Sequence, residues 1–308
     1  MVSKTHSKIL LSILQISLIS CFSPSSLEHK PTATTSTSLS EQNAKSIILP
    51  IFPLRKRVKF PTEPLKLTLW EERYKDLSRY VLNNPVNLGL EPDLCMPVLG
   101  ALYCSHKTQI VKGGIKPITP LVEAGDVGII CGVTSSQVFI NGEEVDAGRK
   151  DESSVEKIRL WAHGLTRFRV KRILSDGLDE ASEGKGGSLP FILVEGTRLD
   201  DIDVFEPGED REIERMLEEL LRRGDLEFDA ASLLDKMYAY TFQEGDEKRQ
   251  KQQMLSFALT AQLEATAPAD EMLSMLQNTS TTARLKYLEK KLPRSNKWLG
   301  DAFRHLFE

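Results

Sequence analysis

Residues 65–69, Leu-Lys-Leu-Thr-Leu, alternate apolar and polar positions with a period of two, as a strand with one buried face requires. The apolar run at 46–54 is broken by Pro50 and Pro53 and fits an edge strand, since proline has no N–H to give to a ladder. Residues 71–82 change period: Tyr74, Leu77, Tyr80 and Val81 fall near helical spacing, and Asn83-Asn84-Pro85 ends the run. Further strands are expected at 96–105, 127–133, 137–140, 158–163, 167–173 and 191–196, bounded by turns such as Asn141-Gly142 and the glycine-rich stretch at 184–187. The segments at 146–156 and 175–188 are polar enough to be surface loops. Many short strands with one helix among them argue for a small barrel or sandwich.

A second regime begins near Phe205-Glu206-Pro207-Gly208. At 209–223, Ile213, Met216, Leu217, Leu220 and Leu221 form one apolar stripe, Glu218 and Glu219 stand four residues before Arg222 and Arg223, and Gly224 stops the helix. Helices at 230–242, 246–265, 270–276 and 281–292 follow with short connections, as in an antiparallel bundle. The expected organisation is a β-rich part at 46–206, a helical bundle at 207–292 and a tail at 293–308. If helical, the tail gathers Leu299, Phe303, Leu306 and Phe307 on one side with Trp298 on the flank. Such a helix either folds back on the protein or docks in a partner's groove, with Trp298, Phe303 and Phe307 as the candidate docking residues.

Residues 1–45 read as a targeting segment. Lys4, His6 and Lys8 precede an apolar stretch at 9–19 that is too short and too polar to span a bilayer, and a Ser/Thr-rich, nearly acid-free tract follows. The junction Ser20-Cys21-Phe22-Ser23-Pro24 resembles the two-part presequence of proteins imported into complex plastids, which makes a plastid the expected location. Leu18-Ile19-Ser20-Cys21 also satisfies a bacterial lipoprotein signal anchored at Cys21, and plain secretion is a third reading.

Composition removes several functions. Of the 308 residues 40% are apolar and 27% charged, and a formal charge of −4 gives no field that would gather phosphate backbones, so no nucleic-acid partner is expected. The densest basic run, Arg55, Lys56, Arg57 and Lys59, reads as a solvated strand edge or turn. Cys21, Cys95, Cys104 and Cys131 show no CxxC spacing and no suitable histidine pair, so neither a metal site nor a disulfide framework is expected. The phosphate-cradling GxxxxGK[ST] pattern, GxSxG and HExxH are all missing from the sequence, and no cofactor is implied. His163, beside Trp161, reads as a half-buried structural residue, as do Tyr240, Asp225 and Glu227. The acidic run Asp200-Asp201-Ile202-Asp203 reads as a solvated loop.

Four elements in order carry a family resemblance: Leu49-Pro50-Ile51-Phe52-Pro53-Leu54, then Lys59-Phe60-Pro61, then Leu65-Lys66-Leu67, then Trp70-Glu71-Glu72-Arg73-Tyr74. Val127-Gly128-Ile129-Ile130, Gly164-Leu165-Thr166-Arg167-Phe168-Arg169-Val170 and the late helix with Arg284, Leu285, Leu288 and Leu292 extend it over about residues 46–292. Together they resemble the amino-terminal substrate-binding domain of Lon proteases, here without ATPase or peptidase parts. The resemblance implies an α+β fold: a small β-rich, PUA-like pseudo-barrel with one helix, followed by an α-helical bundle. It implies a non-catalytic module that binds protein clients or a protease or chaperone partner in protein quality control. The same domain occurs in ubiquitin-ligase adaptors, whose zinc domain is missing here, and the barrel type occurs in RNA-binding accessory proteins. Pro50, Phe52, Pro53, Phe60, Pro61, Arg73, Tyr74, Gly128, Gly164, Arg167 and Phe168 are the signature positions, better explained as fold markers than as a binding site. Prolines limit strand pairing, Tyr74 and Phe168 bring apolar area, and the Arg167 fork can satisfy buried carbonyls. Thr62 stands where the family has glycine after Phe-Pro, so a different turn is expected there.

Overall fold

The computed structural model describes residues 46–88, 95–104, 108–111, 114–117, 121–140, 142–145, 155–177, 189–201, 209–223, 247–261, 263 and 267–291. The expectations for 1–45, for the 202–208 boundary, for most of 146–156 and 175–188, for the 230–242 helix and for the tail with Trp298, Phe303 and Phe307 lie outside these residues.

The fold is α+β, with a large sheet and five helices among the described residues. Strands β1 (Ser46–Leu54), β5 (Val98–Tyr103), β8 (Val127–Ile140), β10 (Lys157–Asp176) and β11 (Ile192–Leu199) pair in a closed ring, β1–β5–β8–β10–β11 and back to β1. The β1–β5 pair is parallel and the other four are antiparallel. Strand β2 (Pro64–Leu69) adds to the first half of β10, so β2, β10 and β8 form a three-stranded extension of the barrel. Helix α1 (Glu72–Asn83) lies between β2 and the short pair β3 (Val86–Asn87) and β4 (Cys95–Met96). Strands β6 (Thr108–Val111) and β7 (Gly114–Pro117) form a separate hairpin, and β9 (Glu143–Val145) adds to the far edge of β8. Helices α2 (Glu209–Arg223), α3 (Glu247–Ala261), α4 (Ala269–Gln277) and α5 (Thr281–Lys291) follow.

Strand β2 buries Leu65, Leu67 and Leu69 and exposes Lys66 and Thr68, as its alternation demands. Strand β1, by contrast, is not an edge strand. Its first half, Ser46 to Pro50, pairs with β11 and its second half, Ile51 to Leu54, with β5. A strand that changes sides midway offers each proline an unladdered edge, so two prolines fit inside the sheet. Two expected breaks also vanish. The segments at 127–133 and 137–140 are one strand, and those at 158–163 and 167–173 are one 20-residue strand that runs on through Ser175 and Asp176. Register shifts at Trp161/Ala162, Gly164/Thr166, Val170/Arg172 and Ile173/Ser175 let β10 bend from the extension into the barrel without stopping. The strands β6, β7 and β9 had no sequence expectation, since none of them is more than four residues long.

The apolar interior has two parts. One fills the barrel with Leu49, Ile51, Ile130, Leu165, Phe168, Val170 and Val194. The other lies between the extension, α1 and the bundle, with Leu67, Leu160, Leu77 and Val81 meeting residues such as Leu217, Phe257 and Leu285. In the bundle Ile213, Met216, Leu217 and Leu220 are buried on one stripe of α2, and Lys248 of α3 pairs with Glu214 of α2 at 2.7 Å. Of the basic run, Arg55, Lys56 and Arg57 are exposed while Lys59 pairs with Glu63 at 2.7 Å.

The turn at Thr62 corrects the expectation of a different geometry. Thr62 holds φ at 77°, the left-handed region that glycine enters freely, so the glycine-type turn persists with a β-branched residue in it. Tertiary bonds hold it there: the Thr62 N–H donates to Gly164 O at 2.9 Å and the Gly164 N–H to Glu63 O at 2.9 Å. The Thr62 hydroxyl is buried without a partner. Replacing Thr62 by Gly is therefore expected to stabilise the protein by about 1–2 kcal/mol, relieving both backbone strain and an unsatisfied hydroxyl. Equilibrium urea unfolding measures it, and an equal or lower midpoint for Thr62→Gly would show that the turn is unstrained.

Candidate functional site at the barrel and bundle junction

Strand β10 sends alternate side chains to opposite faces. Phe168 therefore enters the barrel while Arg167 leaves it toward the bundle, where it is wholly buried, and Leu165, the extra residue of the bulge between Gly164 and Thr166, turns into the barrel as well. One Arg167 terminal nitrogen donates to Leu276 O at 2.8 Å and to Asn278 O at 2.7 Å, and the other to Asp201 Oδ1 at 2.6 Å. Leu276 and Asn278 sit at the C-terminal end of α4, where the last carbonyls lack helical partners and the macrodipole favours a cation. Arg284, in the first turn of α5, reaches the same place. It donates to Asn278 O at 2.7 Å, to Ser256 Oγ at 2.9 Å and to both oxygens of Asp201. Thr281 completes the cluster by donating its hydroxyl to Asp201 Oδ2 at 2.5 Å.

The ring of Phe257 on α3 faces both guanidiniums, with its centroid 4.0 Å from the Arg284 carbon and 4.7 Å from that of Arg167. Phe60 lies beside it, ring centroids 6.1 Å apart. Two cations thus share one carboxylate, two helix-end carbonyls and an aromatic face in a dry junction. Burial pulls Arg167 down to about 10, with Arg284 adding to the effect and Asp201 opposing it, so the guanidinium remains charged at neutral pH. Asp201 corrects the reading of 200–203 as a solvated loop: its side chain is only 10% exposed, whereas neighbouring Asp200 stays near the surface and pairs with Arg198 at 2.6 Å.

The signature residues fall into four places. Phe60 and Pro61 touch Gly164 so closely that a Cβ there would stand 2.8 Å from Phe60 O and 3.2 Å from Pro61 Cα. With Arg167, these residues build the junction. Phe168 and Gly128 lie inside the barrel: a Cβ on Gly100, Gly128 or Gly196 would come within 2.8–3.0 Å of the Phe168 ring, so three strands leave room for one phenyl group. Phe52, Tyr74 and Arg73 form a third cluster on the α1 side, with Phe52 and Tyr74 ring centroids 5.0 Å apart and the Arg73 guanidinium 4.8 Å from the Tyr74 ring. Pro50 and Pro53 sit on β1 at its change of partner.

Ser256 and Thr281 carry no signal in the sequence, and Asp201 stands there only within an acidic run read as solvated. An aspartate two residues past a strand end, inside an acidic run, has no local feature that distinguishes a buried anion from a solvated one. His163 is half-buried on β10 opposite Pro64 and Gly132, and burial pulls its imidazole down, which keeps it neutral at pH 7. Cys131 is buried and free, its thiol pushed well up by burial, while Cys95 is exposed. Among the described residues no group of three or more His, Cys, Asp and Glu side chains is placed to hold a metal ion.

No family model matches the chain, and no curated protein does. Solved structures similar to it include two Lon N-terminal domains. One is the Lon N-terminal domain protein from Xanthomonas campestris, at 20% identity and a TM-score of 0.39, covering 80% of this chain and 99% of that one. The other is the N-terminal domain of Mycobacterium avium complex Lon protease, at 12% identity and a TM-score of 0.38, covering 83% of this chain and 99% of that one.

Proposed function

We propose that this chain is a non-catalytic module of the Lon N-terminal type that binds other proteins through exposed segments of their chains. The observation that supports this most is where the motif residues sit. Five of the residues through which the sequence resembles that family, Phe60, Pro61, Gly164, Arg167 and Arg284, meet at one buried junction, where they hold the barrel on the bundle. The terminal guanidinium nitrogens are engaged in structure, with Asp201 neutralised by two guanidiniums and the helix-end carbonyls taken up by the same groups, while Arg167 Nε is buried without a partner among the described residues. Function then rests on the outer surface, and the family role is binding of protein segments. The test is fluorescence anisotropy with labelled, reduced and carboxymethylated α-lactalbumin against the same protein in its native state. Saturable binding of the unfolded form alone is expected, with no fragments on a gel after prolonged incubation with or without ATP. Equal binding of both forms, no binding, or fragmentation by a contaminant-free preparation would refute the proposal.

A further inference from the structure

The β2–β10–β8 extension buries one face and turns the other to solvent. On the outer face the register sets Lys157 opposite Phe139, Arg159 between Thr68 and Gln137, and Trp161 between Lys66 and Ser135. Trp70 follows the last residue of β2 beside Lys157. The Lys157 ammonium lies 5.0 Å from the Trp70 ring centroid and 4.8 Å from that of Phe139, and the Arg159 guanidinium lies 4.7 Å from the latter. Phe139 is thereby covered to 8% exposure, while Trp70 remains 58% exposed, the highest among the large apolar side chains described.

The cations on this face have no carboxylate partners among the described residues. Lys59, Arg73, Arg79, Lys171, Arg172 and Arg198 each have a carboxylate partner. Among the described residues Lys66, Lys157 and Arg159 have none, as is also true of Arg55, Lys56 and Arg169 elsewhere, but on this face the cations stand beside aromatic rings. Alternate strand residues are about 7 Å apart, so the three cations lie within roughly two such steps of one another, interleaved with aromatic rings. Beyond the row stand carboxylates: Glu71 and Glu72, next to Trp70, and Glu143 and Glu144, on the strand beyond Phe139.

We infer that this face docks an extended, acidic segment of a protein client. Carboxylates of the segment meet Lys66, Lys157 and Arg159, and apolar or aromatic side chains near them lie on Trp70 and Trp161. The inference rests on the protein-binding role proposed above and gives that role a surface and a chemistry. Charge complementarity selects the carboxylates, and cations already stacked on rings lose little freedom when an anion arrives. The shortness of the row selects a peptide over a nucleic acid. A polynucleotide carries a phosphate at every nucleotide and would continue past the row onto Glu71, Glu72, Glu143 and Glu144, whereas a client segment can confine its charge to two or three residues.

Fluorescence anisotropy with three labelled probes tests this: an octapeptide alternating Glu and Phe, one alternating Lys and Phe, and a twelve-nucleotide oligouridylate. The Glu–Phe peptide is expected to bind at least tenfold more tightly than the Lys–Phe peptide and to weaken as salt rises. The Lys157→Glu/Arg159→Glu variant should lose at least tenfold, and Trp70→Ala several-fold. Lys66→Glu, at an exposed position, should give the same direction of change if the double variant folds poorly. Equal binding of the two peptides, no binding of either, or a folded variant that binds as the parent does overturns the inference. Preferential binding of oligouridylate overturns it in favour of a nucleic-acid surface. Unfolded α-lactalbumin separates this failure from that of the broader role: if parent and variant both bind it while the Glu–Phe peptide is ignored, clients bind elsewhere and the protein-binding role stands.

Discussion

Replacing Asp201 by Ala is expected to cost about 3–5 kcal/mol, because it leaves two guanidiniums in a dry junction with no anion between them. Arg167 and Arg284 are both wholly buried, and the hydrogen bonds that remain to them end on carbonyls and hydroxyls. Those acceptors solvate a cation but do not neutralise it. At roughly 2–4 °C per kcal/mol for a chain of this size, the loss corresponds to about 6–20 °C in melting temperature. Asp201→Asn should fall nearly as far, since it keeps a side-chain acceptor but removes the charge. The triple replacement Arg167→Met/Asp201→Leu/Arg284→Met distinguishes charge from packing. If the penalty is that of an uncompensated buried charge, this apolar core should recover most of the stability, as apolar substitutes for buried ion clusters often do. A melting temperature for Asp201→Ala within a degree or two of the parent would mean that the junction is wet or loosely formed.

Phe168→Ala is expected to cost a similar amount, about 3–5 kcal/mol, by emptying the centre of the barrel. The geometry gives a sharper test than the single variant. A Cβ on Gly196 would stand 2.9 Å from Phe168 Cδ2, while its next neighbours, Arg169 O and Leu49 Cδ1, are 3.3 and 3.7 Å away. The phenyl ring is thus the main obstacle at that position. Gly196→Ala should destabilise the parent and cost much less, or nothing, beside Phe168→Ala, where the new methyl enters the cavity. Gly128→Ala should show no such rescue, because its Cβ would also meet the backbone oxygen of Ala101 at 2.6 Å, which no side-chain deletion removes. A double-mutant cycle on denaturant midpoints reads both couplings. Equal coupling at Gly196 and Gly128 would contradict the placement of the ring.

The sequence by itself determined the elements whose reasons are local. The alternation at 65–69 required a strand with Leu65, Leu67 and Leu69 inward, and the stripe at 209–223 required a helix with Ile213, Met216 and Leu217 covered. Periodicity reports which face of an element is apolar, and that property survives whatever the element packs against. The order of strands before helices, and hence the α+β class, was legible for the same reason. What only the tertiary structure decided was partnership. Nothing local says that β1 changes sides at Pro50 and so lies inside the sheet, or that β10 continues through Gly164. Both depend on which backbone arrives beside them. The same holds at the junction. Arg167 and Phe168 drew notice as motif residues, yet Asp201 looked like any solvated acid until α5 brought Arg284 to it and the end of α4 brought its carbonyls. On the outer face, Lys66, Lys157 and Arg159 are separated by up to 93 positions in the chain and meet only because β2 and β10 pair. Burial of charge and gathering of charge are both set by contacts between distant segments, and a one-dimensional pattern does not contain them.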